Sequence, residues 1–450
     1  MLSKSLLVWV AVYFGGLALS VVHPIYPMVS YLVFFYAPPH FNWWGRHLPN
    51  LRFSLLAAAA VVVSLALKST TLERLKPVKN SALLWFLFFG ANTVIVTAWA
   101  VDRARSWYWT VVVLKLILTY ALIPAAVRTP AHFDLFSAAH IGGATYWGYK
   151  AWDDPKREQG RLKQIGSADG QNENGAAAHL LTVIPFVAVY ALTVKRRWVQ
   201  GVIAVCGAFI VNVLILCNSR GSIVGLLAMG CAAIALAGRG KRLKLMAIGA
   251  GGLVVLLALA DNRFLERQQT TLDANDGSAQ GRLESWRASM DFISDYPLGT
   301  GGRGFHILSP IYIPDIVASH GGEERSVHNT YLQLAAEWGI QGLVLWLGFI
   351  AATFLLLERS RRQTSKDSWY WSRYLTVELA LIGTLIAGVF TNRLYGESVY
   401  WICALAFALH RMHATESSEA AETTVTVTPQ ARAVPSPAIV VANRAGIRPQ

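Results

Sequence analysis

Charge is scarce in this chain: 15% of its 450 residues are Asp, Glu, Lys or Arg, against 54% that are hydrophobic. Soluble domains carry about a quarter charged residues, so a water-soluble fold around one core is excluded. Cysteine is also rare. The four present, Cys206, Cys217, Cys231 and Cys403, all fall in apolar runs without zinc-type spacing, and they read as small buried side chains. The chain lacks a Walker motif, a Gly-x-Ser-x-Gly elbow, a His-rich zinc pattern and a solenoid-like repeat. No pair of acidic residues has metal-site spacing, so no metal and no cofactor is expected. Short alternating segments are missing too, which argues against a β-barrel.

What the chain has instead is long apolar runs, near 5–22, 24–38, 51–67, 81–100, 107–127, 132–150, 176–194, 198–217, 221–237, 243–260, 339–357, 372–390 and 396–411. Runs of this length predict an all-α, polytopic helical membrane protein. The net charge of +14 does not point to nucleic acid, because much of the excess sits in short loops where it sets membrane orientation. Lys195-Arg196-Arg197, Arg239 to Lys244 and Arg359 to Lys366 are expected in the cytoplasm, leaving 151–175 and 261–337 on the opposite, periplasmic or extracellular, face. The N-terminus, with Lys4 ahead of its apolar run, reads as an uncleaved first span. Lys4 also argues against an external N-terminus, so one segment is expected not to cross and about twelve transmembrane helices remain. The chain divides into N-terminal helices (1–150), a polar loop (151–175), central helices (176–260), a large structured loop (261–337), C-terminal helices (338–411) and a disordered tail (412–450).

Most of the polar side chains able to do chemistry lie in the hydrophobicity break from Asp261 to about Trp338. Arg220 stands between two apolar runs with hardly a loop, in Ser219-Arg220-Gly221. It reads either as a cation snorkelling to lipid head groups or as the holder of an anion. Arg282 opens an amphipathic stretch, where the helix dipole disfavours a cation unless an anion is near; a surface pair with Asp291 or Glu284 is the plainer alternative. His328 can accept a proton from a hydroxyl near neutral pH. His306 and His320 lie nearby and are rival candidates. Asn329 follows His328, and Asn174 stands where an apolar helix begins, as a cap residue would. Arg303 sits in Gly299–Gly304, whose Gly-x-Gly spacing has no preceding strand and so is not a dinucleotide fingerprint, though a turn offering amides to a ligand is open to it.

Taken together, Ser219-Arg220-Gly221, Gly281-Arg282 with Trp286, Tyr296 to Gly301, and His328-Asn329 leading to Glu337-Trp338-Gly339 resemble the O-antigen ligase superfamily. That superfamily includes O-oligosaccharyltransferases and related polysaccharide polymerases. Tyr36 to Gly45 and Gly142 to Gly148 are similar to its exosortase-associated O-glycosylation ligase variant. Where that variant has Asp-Asn-Asn before a central helix, this chain has Asn172-Glu173-Asn174. The resemblance implies a bacterial inner-membrane enzyme with a periplasmic site. It would move a glycan from undecaprenyl diphosphate to an acceptor hydroxyl on lipid A core, a protein Ser or Thr, or a polysaccharide. Arg220 and Arg282 would hold the diphosphate, His328 would take the acceptor's proton, and Asn329, Arg303 and Asn174 would help bind substrate. A polymerase using the same lipid-linked donor is the nearest alternative, and a transporter or flippase a more distant one.

Overall fold

The computed structural model describes residues 3–427, apart from 159, 168, 171, 260–263 and 265–276. The helices α1 (Lys4–Ala18), α2 (Ile25–Tyr36), α3 (Phe53–Leu67), α4 (Ser81–Thr97), α5 (Arg103–Ala126) and α6 (Pro130–Asp153) come first. A short hairpin follows, β1 (Arg157–Glu158) with β2 (Arg161–Leu162). Next come α7 (Glu173–Leu180), α8 (Ile184–Thr193), α9 (Arg197–Cys217), α10 (Arg220–Leu236) and α11 (Arg239–Leu259). The large loop holds α12 (Gly277–Asp295), α13 (Gly304–Tyr312) and α14 (Pro314–Ser319), and the chain closes with α15 (Thr330–Gln363), α16 (Trp369–Ala387) and α17 (Glu397–Val427).

Among the described residues, five stretches are long and apolar enough to cross a membrane: Lys4–Val21, Arg103–Ala126, Glu173–Thr193, Arg197–Cys217 and Thr330–Gln363. Three shorter apolar helices, Phe53–Leu67, Ser81–Thr97 and Arg220–Leu236, pack among them. The protein is an all-α polytopic membrane protein.

The bundle has two ends. At the end bearing the large loop, Val101 N donates to Thr300 O at 3.0 Å and Arg105 pairs with Glu324 at 2.7 Å. There too Arg161 Nε reaches Cys217 O at 3.0 Å. At the other end, His23 meets Glu73 at 3.5 Å and Lys76 N donates to Thr415 Oγ1 at 2.8 Å. In lipid, helices associate through packing and buried hydrogen bonds rather than through escape from water. Accordingly Phe86 of α4 stacks on Phe349 of α15 (4.5 Å) and Tyr400 of α17 (4.9 Å), and Trp147 Nε1 donates to Tyr36 O at 2.9 Å.

Segments 5–22, 24–38 and 132–150 all form helices, and Leu6 and Trp9 of α1 pack with Trp44 and Phe53. Two local expectations change. The last helix does not stop at 411 but runs to Val427, because Thr415 and Glu416 find partners in Lys76 and Tyr370. Residues 428–450 of the expected tail, and the start of the 261–337 loop, lie outside the described residues. Finally, α7 is capped by Asn172, whose Oδ1 accepts from Gly175 N at 2.7 Å, and not by Asn174.

Candidate functional site

The turn joining α16 to α17, residues 388–396, organises the loop end. Thr330 N donates to Gly388 O at 2.8 Å, Thr330 Oγ1 donates to Thr391 O at 2.8 Å, and Arg393 N donates back to Thr330 Oγ1 at 2.9 Å. These bonds fix the start of α15. Asn329 caps that helix, its Oδ1 accepting from Tyr331 N (2.9 Å) and Leu332 N (3.1 Å). His328 precedes the cap with φ of 54°, a left-handed conformation uncommon for a residue with a side chain.

Phe390, in the same turn, gathers the two arginine-bearing elements. Gly221 presses on it so closely that an added Cβ would lie 2.5 Å from the Phe390 Cβ. Trp286, one helical turn after Arg282, meets the same ring with centroids 6.2 Å apart. The structure therefore brings the Arg220, Arg282 and His328 segments to one end of the bundle, around residues 388–391.

Arg220 comes from a tight reversal. Asn218 ends α9 in a left-handed conformation (φ 46°), Ser219 is the N-cap, and Arg220 is the first residue of α10. A guanidinium at a helix N-terminus adds to the positive end of the dipole, an arrangement suited to an anion. Arg161 braces this reversal. It donates to Cys217 O, to Glu173 Oε1 at 2.6 Å and to Asn174 Oδ1 at 3.0 Å, and Asn174 also accepts from Ser219 Oγ at 2.9 Å. Asn174 is thus tied to the Arg220 turn.

Arg282 does not open its helix: α12 begins at Gly277, so Arg282 lies in the second turn, where the dipole's influence has faded. What stands close to it is His328. Burial first, then the Arg282 and Arg325 charges, hold the His328 imidazole down to about 4, so it is neutral at physiological pH. Trp286 Nε1 is buried with no hydrogen-bond partner among the described residues.

Arg303 and the glycine run have a bracing role. The Arg303 guanidinium lies over the Trp109 ring (4.6 Å) and hydrogen-bonds His306. Burial, then the Arg303 charge, push the His306 ring down to about 3. Pro297 O accepts from Ile340 N at 3.0 Å, Gly301 N donates to Glu337 O at 2.8 Å, and Gly302 N donates to Ser106 Oγ at 3.2 Å. The amides of this run are therefore bound to protein and not offered to a ligand, a correction to the sequence reading. They wedge into a kink of α15 at Gly339 (φ 79°, ψ 170°), a conformation open essentially to glycine alone. Below the kink's entry, fully buried Glu337 accepts from Gln333 Nε2 at 2.6 Å and from Tyr395 Oη.

Two residues without a sequence signal tie the site to the bundle. Arg393 donates to Asp169 Oδ2 at 2.7 Å and to Gly175 O at 3.2 Å. Asp169 also meets His179 Nδ1 at 3.1 Å, and Tyr36 Oη links His179 (2.8 Å) to His140 (2.7 Å). Burial alone would raise the Asp169 carboxyl, but Arg393 and His179 outweigh it and hold it at about 2. Among the described residues this hydrogen-bonded chain stops at His140 and Thr182.

Residues 206–347 match the protein family described as O-antigen ligase. The match takes in Arg220, Arg282, Trp286, Arg303, His328 and Asn329. No curated protein matches the chain. The chain is thus a multi-pass membrane protein carrying an O-antigen ligase domain over residues 206–347, and that domain supports an O-antigen ligase- or polymerase-like function.

Proposed function

We propose that the protein transfers a glycan from undecaprenyl diphosphate to an acceptor hydroxyl on the periplasmic face of the bacterial inner membrane. Arg220 and Arg282 hold the diphosphate, and His328 takes the acceptor's proton. The observation that carries this reading is the meeting of the Arg220 turn, the Arg282 helix and the His328 cap around residues 388–391, all but that turn within the matched family region. In the proposed step the acceptor oxygen attacks the anomeric carbon. The bond from that carbon to the diphosphate oxygen breaks, and the leaving diphosphate keeps the electron pair. The acceptor's proton passes to a nitrogen of neutral His328. Negative charge grows on the diphosphate, and two guanidinium groups stabilise it through charge-assisted hydrogen bonds. The unpartnered Trp286 N–H, one turn from Arg282, is a further donor for a phosphate or sugar oxygen. Asn329 fixes His328 by capping α15, Asn174 steadies the Arg220 turn, and Arg303 acts at a distance through the brace.

A transporter reading is less well supported, since the buried polar chain from Arg393 stops at His140 and Thr182 among the described residues. The test is transfer by the purified protein from a lipid-linked glycan to lipid A core, a Ser/Thr peptide or a polysaccharide, with EDTA present. We expect glycosylated product that is EDTA-insensitive. His328→Ala should slow it by about 10²–10⁴-fold and Arg282→Ala by about 10²–10³-fold, with membrane insertion intact. Full activity in both variants would overturn the assignment.

A further inference from the structure

A pocket of ≈ 490 Å³ opens at the loop end, away from Arg220, Arg282 and His328. Its walls come from the segment 39–46, the last turns of α6, and the stretch 162–166. This volume is in the range of small-ligand sites, about 300–1,000 Å³. The lining is mixed. Trp43, Tyr146 and Tyr149 offer aromatic faces, while Asp153, Asp154 and Gln164 offer oxygens and an amide. Cationic Arg46, Lys150 and Lys156 lie among the same residues, so the pocket carries charges of both signs.

Aromatic faces beside carboxylate and amide groups suit a ligand with apolar C–H faces and many hydroxyls. A lipid tail would leave these charged groups facing hydrocarbon. The frame is preorganised. Tyr146 Oη donates to Asn42 Oδ1 at 2.9 Å, Asn42 Nδ2 donates to Pro38 O at 2.8 Å, and Lys150 Nζ donates to Ile165 O at 2.8 Å. Leu162 lines the pocket, whereas its neighbour Arg161 faces the other way and braces the Arg220 turn. Strand β2 thus touches the pocket through Leu162 and the Arg220 turn through Arg161.

We propose that this pocket binds a sugar residue of one of the two glycan-transfer substrates. That assignment rests on the transfer reading for its role, and its test does not require turnover. Full-length protein in lipid nanodiscs, free of glycosidic detergent, is titrated with glucose, mannose, N-acetylglucosamine and their β1,4-linked disaccharides. Binding is read by saturation-transfer NMR. At least one sugar should bind saturably. Tyr149→Ala with Asp154→Asn should weaken it by tenfold or more, and His328→Ala should leave it unchanged. Binding that survives the double variant, displacement by glycerophosphoethanolamine, or no saturable binding by any sugar would overturn the proposal. In the transfer assay the double variant should raise KM, with kcat unchanged, for whichever substrate the pocket holds, so a donor effect and an acceptor effect are told apart. Unchanged KM for both substrates also overturns it. If no transfer occurs at all, sugar binding lost in the double variant still stands as evidence of the site.

Discussion

Arg282→Gln should raise the pKa of His328. Burial is the largest force holding the imidazole near 4, and the Arg282 charge is the next. Removing that charge relieves only part of the depression, so the new value should lie between about 4 and the ordinary 6.5. The magnitude matters for catalysis. At pH 6 an ordinary histidine is about three-quarters protonated, whereas a ring titrating near 4 is only about one per cent protonated. Wild-type kcat/KM should therefore stay level down to about pH 5 and fall only as His328 gains its proton. The assay is an imidazole NMR titration of isotope-labelled protein alongside the pH–rate profile. In Arg282→Gln both midpoints should move up together, and a bound diphosphate should raise the wild-type value in the same direction. A wild-type midpoint at 6.5, or no movement in the variant, would refute the reasoning. The same depression has a sign for stability. The unfolded chain takes up protons first as pH falls below 6.5, so His328 and His306 both make the fold less stable between pH 6.5 and their own low values.

Gly339→Ala should cost about 1–3 kcal/mol from backbone strain alone. It should also loosen the Pro297–Ile340 contact that seats the loop, which a thermal-unfolding scan and limited proteolysis of the loop would report. At the opposite end, Arg361 and Glu378 form a buried pair at 2.6 Å. Glu378→Ala should destabilise by about 3–5 kcal/mol, while Arg361→Met with Glu378→Leu should be near neutral; equal losses in both would contradict the desolvation argument.

The helices outside the large loop were legible because most are continuous apolar runs, a signal that needs no knowledge of neighbours. Arg220, Arg282 and His328 stood out for the opposite reason, as polar groups at breaks in that pattern. The turn that gathers them did not. Asp169 and Arg393 are 224 residues apart in sequence, and nothing local marks either as the other's partner. The glycine run misled because its amides are satisfied by a kink hidden inside an otherwise continuous helix, α15. Arg282 looked like a helix opener because the amphipathic pattern starts there, yet the helix begins at Gly277.

Whether Arg220 and Arg282 grip one diphosphate can be read from a double-mutant cycle on the Kd of undecaprenyl diphosphate, using Arg220→Ala, Arg282→Ala and both together. Groups sharing a ligand are coupled, and distant independent ones add within about 0.3–0.5 kcal/mol. We expect each single change to weaken binding by tenfold or more, with a coupling of about 1 kcal/mol or greater. Strict additivity, or binding indifferent to either arginine, would contradict a shared diphosphate site.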